Sequence, residues 1–234
     1  MKKILQMMPI RRFQESFVFP MVGVLLSFVM ISTIAEAQST SKVLMIPREG
    51  KSANLDLMLS KQVGVMTELL QKAGFKVVVA SVSGEHLQGV AYDLKPDLKL
   101  TEVKLDDYVG VIIPCMATGL FPGPPISPVF LSIVKQAVAK GKPVATGLGG
   151  AYILAEAGVL KGKRYAFVED ALNPVPPHQK DPRFKGAIYG GSDLVQDGNI
   201  ITSGRCPNLE AMTGLPDNTP ALTQAFIAEL RRKK

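Results

Sequence analysis

Tryptophan is absent from the 234 residues, and tyrosine and phenylalanine are sparse. Surfaces that stack sugars or bases are built from such rings, so the composition argues against those roles. Histidine occurs only at His86 and His178, and cysteine only at Cys115 and Cys206. Two cysteines do not make a disulfide scaffold, and their separation does not match a zinc-ligand spacing. No strand-like run is followed by the G-x-G-x-x-G turn of dinucleotide-binding folds. No metal and no cofactor are therefore expected. The net charge is +7, but the basic residues are dispersed. They do not form the stripe that a phosphate backbone calls for, so no nucleic-acid partner is expected.

What is present begins with a basic, then apolar, N-terminus. Lys2, Lys3, Arg11 and Arg12 precede an apolar run from Phe17 to Ile34, which ends at Ala35-Glu36-Ala37. These are the three parts of a secretory signal, with an A-x-A cleavage pattern. Residues 1–37 are therefore expected to be a signal peptide and 38–234 a single domain, in the periplasm or secreted. A retained anchor is the alternative, because the run is nearly long enough to span a bilayer. Loss of 1–37 removes four basic and two acidic side chains and leaves a charge of +5. No second long apolar segment follows, so no membrane association is expected after cleavage.

Within 38–234, short apolar runs alternate with helical patterns. Val43-Leu44-Met45-Ile46 stops at Pro47 and reads as a buried parallel strand. Apolar residues recur at helical spacing from Leu55 to Leu70, and Gly74 ends that helix. Strands are predicted at 75–80, 109–113, 143–146 and 162–168, and helices at 128–139, 151–157 and 219–230. Asp217 or Thr219 would cap the last helix. Asp197-Gly198 between two apolar runs is a hairpin signal. Residues 119–125 hold too many prolines and glycines for helix or central strand, and 173–183 read as a surface loop.

Several of these pieces, taken in order, resemble the DJ-1/PfpI family of the class I glutamine amidotransferase-like superfamily. They are Lys42 to Ile46, Asn54 to Leu57, Asp106 to Pro114, Leu154 to Lys163 and Val195 to Ser203. The resemblance implies an α/β, flavodoxin-like three-layer sandwich with a mostly parallel central sheet, and a family-like homodimer. It also implies a sharp strand-to-helix turn bearing a reactive cysteine, commonly within alanine-isoleucine-cysteine-histidine-glycine-proline. Matching that turn to 146–151 places Leu148 at the cysteine position and Gly149 at the histidine. Leucine has neither nucleophile nor titratable proton, so thiol chemistry is not expected at that elbow. The family's acidic partner matches Asp56, which reads equally as a helix N-terminal charge.

The turn residues Gly147, Leu148, Gly149 and Gly150 then become the candidate ligand-binding group. Backbone N–H groups at a glycine turn can hold an anion without a nucleophilic side chain. Cys115 follows Pro114 where the family usually has glycine, and Cys206 follows the last strand. Both lie at carboxyl ends of strands, where ligand sites form in parallel sheets. Three readings of the pair stand: a Cys115–Cys206 disulfide after export, two inert thiols, or a relocated reactive thiol at Cys115. Glu169 and Asp170 are acid–base candidates or surface charges. The leading functional expectation is an exported family member without the family's cysteine chemistry, binding a small polar or anionic ligand. The alternative is a hydrolase, lyase or deglycase-like enzyme using Cys115 or Asp56.

Overall fold

Residues 43–46 are fully buried, and successive side chains face opposite sides of one sheet. Leu44 and Ile46 enter one apolar cluster, whereas Val43 and Met45 enter another. A strand covered on both faces needs this continuous apolar character, because alternate residues point to two different cores. A computed structural model describes residues 41–49, 54–115, 125–168 and 180–233. The signal-like segment 1–37, the 119–125 loop apart from Pro125, Glu169, Asp170 and His178 lie outside the described residues. The described residues belong to one compact unit, Ser39–Lys234.

In chain order, β1 (Lys42–Met45) is followed by a helical segment of three parts. These are α1 (Asn54–Leu57), a π-helical stretch Met58–Gly64, and α2 (Val65–Lys72). Then come β2 (Lys76–Ser81), the short strands β3 (Leu87–Gln88), β4 (Asp93–Leu94) and β5 (Leu98–Lys99), and β6 (Tyr108–Ile113). α3 (Pro128–Ala139), β7 (Val144–Gly147), α4 (Ala151–Glu156), β8 (Arg164–Tyr165) and β9 (Ile188–Tyr189) follow. The hairpin β10 (Leu194–Asp197) and β11 (Ile200–Ser203), then α5 (Pro207–Thr213) and α6 (Thr219–Arg232), complete the order.

The main sheet has seven strands in the order β10-β11-β7-β6-β1-β2-β5. Every pairing is parallel except β10 with β11. One face packs against α3 and α4 through Phe130, Ile133, Val134, Ile153 and Leu154. The other packs against the 54–72 segment and α6 through Leu55, Met66, Leu70, Phe226 and Leu230. Helices on both faces of a mostly parallel sheet make the expected flavodoxin-like three-layer sandwich.

Three local features differ from the sequence reading. The 162–168 run yields only the two-residue β8, paired with β9 outside the main sheet. The hairpin partner β10 already occupies the outer edge of β11, so this run cannot join there. Instead Ala166 N–H donates to Thr202 Oγ1 at 2.7 Å, tying the segment to β11 through a side chain. Second, α5 follows Cys206 directly, with Pro207 at its first turn, where a missing N–H costs nothing. Third, Asn218 precedes α6 as its boundary residue, while Asp217 Oδ1 accepts from Thr219 N–H at 2.9 Å.

Gly110 sets how close α6 lies to the sheet. A Cβ there would stand 2.8 Å from Leu230 Cδ2 and 2.9 Å from Phe226 Cζ. Gly110→Ala is expected to destabilise the fold by about 1–3 kcal/mol through overpacking. Urea unfolding measures it, and an unchanged midpoint would contradict this packing.

Candidate functional site

The strand order brings distant residues together. β7 lies between β6 and β11, with Ile113 paired to Thr146 and Ser203 paired to Gly147. The three strands are parallel, so their carboxyl ends share one edge. Beyond that edge, β6 continues through Pro114 to Cys115, and β11 continues to Cys206. The two cysteines thus converge from either side of β7, beside Gly147. A Cβ on Gly147 would stand 3.9 Å from Cys115 Cβ.

Both cysteines are buried, and neither is in a disulfide. Their closest approach is 3.5 Å, well beyond the roughly 2.05 Å of a sulfur–sulfur bond. The expected Cys115–Cys206 disulfide is therefore corrected. Strand order does bring the cysteines together, but at hydrogen-bonding rather than bonding distance. The hydrogen bond to Cys115, burial, and the charge of Cys115 all push the Cys206 thiol up. The N–H groups of Leu209 and Asn208 oppose that shift without overcoming it. Two acids this close lose protons as a pair, the first departure making the second harder.

Arg48 is electrostatically coupled to Cys115. It lies just past the carboxyl end of β1, the strand on the other side of β6. Burial holds its guanidinium below the usual arginine value, and the charge of Cys115 acts in the opposite direction. Arginine remains cationic, so it attracts any negative charge carried by Cys115.

The helical segment 54–72 adds Gln62. This side chain is buried on the π-helical stretch, and its Oε1 accepts from Cys115 N–H at 3.1 Å. Sequence reasoning passed over it, although a signal was present. Gln62 falls on the stripe of Leu55, Met58, Leu59 and Met66, where a polar residue on a buried face needs a partner.

Asp56 occupies a different place. Its Oδ1 accepts from the N–H groups of Tyr92 at 2.8 Å and Ala91 at 3.0 Å. Its Oδ2 accepts from Val90 N–H at 2.9 Å. Burial opposes ionisation, but these three donors outweigh it and hold the carboxyl below its usual range. Among the described residues, the carboxylate serves the 89–92 turn and not Cys115.

At the elbow, a 3-10 turn over Leu148–Gly150 leads into α4. Leu148 packs against the α3–α4 core. Gly150 is required by Thr146, whose Oγ1 would lie 1.6 Å from a Cβ there. His86 is at the surface, 3.6 Å from Asp93. Among the described residues, no group of three or more His, Cys, Asp or Glu side chains is placed to hold a metal. Nor is any helix among them long and apolar enough to cross a membrane.

The Asp56 geometry has a pH consequence. Its folded-state pKa is depressed, so its stabilisation is present above the ordinary aspartate range and is lost as pH falls through the folded value. Amide exchange at Val90, Ala91 and Tyr92 is expected to accelerate in that acid window. Asp56→Asn should accelerate it already at neutral pH. Unchanged exchange in the variant would remove the anchoring role.

The described architecture can be set beside known proteins. The DJ-1/PfpI family model matches residues 56–214. An uncharacterised protein of Archaeoglobus fulgidus is 33% identical over 168 residues, covering 70% of this chain and 86% of that protein. The deglycase PfpI of Pyrococcus furiosus is 29% identical over 144 residues, 57% of this chain and 76% of that protein. Among solved structures, a ThiJ/PfpI domain protein of Brachyspira murdochii superposes with a TM-score of 0.59 at 18% identity, covering 82% of this chain and 98% of its own. The cysteines stand at 115 and 206, while leucine occupies the elbow position, so the arrangement is divergent. With that divergence, the chain belongs to the DJ-1/PfpI family.

Proposed function

We propose that this protein is a thiol-dependent enzyme of hydrolase or deglycase type, with Cys115 as nucleophile and Cys206 as proton donor. The observation that carries the proposal is the buried, unbonded approach of the two cysteines to 3.5 Å, at the edge where parallel sheets place their sites. Arg48 beside Cys115 supports the charge assignment. The deglycases among the relatives support the reaction class. Together these favour an enzyme over the ligand-binding protein that the missing elbow cysteine had led us to expect.

The substrate class is a carbonyl carbon bearing an amine leaving group. The Cys115 thiolate forms a C–S bond as the C=O π pair moves onto oxygen. Collapse restores the C=O bond and expels the amine, which takes the proton of Cys206 as the C–N bond breaks. Water then adds to the thioester and returns one proton to the Cys206 thiolate. Cleavage of the C–S bond releases the acid and restores the Cys115 thiolate. Arg48 stabilises the anionic sulfur at both ends of the cycle. Asp56 has no step here, since its carboxylate holds the 89–92 turn.

Turnover of a panel of amides tests this. Cys115→Ser is expected to abolish turnover. Cys206→Ala should lower it about 10²-fold, the lower end of a general acid's contribution. Full activity in Cys115→Ser would overturn the proposal. The same protein is proposed to act outside the cytoplasm, on the strength of the signal-like residues 1–37. N-terminal sequencing of the protein from its native cells should then begin at Gln38, and a chain beginning at Met1 would refute cleavage.

A further inference from the structure

Gln62 has no role in the cycle above, yet its environment is specific. A buried primary amide needs hydrogen-bond partners, and its two ends are not equivalent. Only the oxygen can accept, so the Cys115 N–H fixes which end faces β6. The nitrogen is left on the side of the elbow. It lies 3.6 Å from where a Cβ on Gly147 would stand, and that same point is 3.9 Å from the Cys115 backbone nitrogen. The amide therefore lies among Cys115, the end of β7 and the helical segment, and the π-helical stretch Met58–Gly64 is what carries it there. Such single π turns recur at functional sites.

We propose that Gln62 is a positioning residue for Cys115. It holds the backbone of the nucleophile at the end of β6, and, being a neutral amide, it keeps negative charge away from the thiolate. The proposal rests on the assignment of Cys115 as nucleophile and deepens it. Arg48, beyond β1, and Cys206, at the β11–α5 junction, are both electrostatically coupled to Cys115. The 54–72 segment contributes Gln62, which is uncharged. Its nearby carboxylate, Asp56, is engaged by residues 90–92. A glutamate at 62 would keep the acceptor for Cys115 N–H with nearly the same shape, but would set a second negative charge beside the sulfur. Like charges at such range raise the pKa of the weaker acid.

The test is the pH dependence of iodoacetamide alkylation at Cys115, read by peptide mass in the full chain. In the wild type the midpoint is expected below that of an ordinary cysteine, about 8.5. In Gln62→Glu it should rise by about one unit, a roughly tenfold loss of thiolate near neutral pH. Gln62→Met removes the acceptor without adding charge. Its midpoint should move less than half as far, while exchange of the Cys115 amide proton accelerates. A low wild-type midpoint that ignores Gln62→Glu overturns this inference alone. So do equal shifts in the two variants, since both would then report only disturbed packing. An ordinary midpoint in the wild type overturns both this inference and the nucleophile assignment beneath it.

Discussion

The close approach of Cys115 and Cys206 depends on one constraint, the parallel alignment of β6, β7 and β11. Parallel strands end on the same edge, so whatever follows each strand is delivered to one place. β7 in the middle ends in Gly147, which lies beside Gln62 and Cys115. The burial that makes the edge a site also separates the two thiols electrostatically. Burial and the neighbouring Cys115 push the Cys206 thiol up, while Arg48 is electrostatically coupled to Cys115. Neither property belongs to a cysteine by itself.

The elbow and the thiol pair lie on neighbouring strand ends but are built differently. At the elbow, Leu148 contributes packing and Gly150 contributes room for Thr146. One strand over, the residue after Pro114 is a cysteine rather than glycine, and the sulfur still faces the same edge. The supporting groups change with it. Gln62 from the helical segment reaches Cys115, while Asp56, half a helix earlier, is spent on the 89–92 turn. That turn could not form with any larger residue at Gly89, where a Cβ would lie 1.9 Å from Asp56 Oδ1. An acidic residue in the expected helix was thus the correct residue type for a structural task.

Much of the fold was legible in the chain itself. The apolar runs at 43–46 and 109–113, the helical spacing from Leu55 and the Asp197-Gly198 turn each encode a local preference with a short-range cause. The π-helical stretch was not legible, because apolar spacing at this length does not separate 3.6 from a wider turn. The 162–168 run read as a strand because its apolar content matches one. Its exclusion from the sheet follows from an edge already taken by β10, which no local pattern expresses. For the site, Cys115 was a candidate from its place after a strand, whereas Gln62 was hidden in plain view on an apolar stripe.

The sequence alone determined the layer architecture, the loss of a nucleophile at the elbow and the presence of exactly two thiols, since each is a property of composition or of neighbours along the chain. Tertiary structure decided the rest. It set the thiols within hydrogen-bonding reach but not bonded, gave Asp56 to a turn and Gln62 to the Cys115 backbone, and coupled Arg48 to Cys115. Those outcomes depend on distances between segments remote in sequence, and such distances are set by strand order and packing rather than by any residue's own preference.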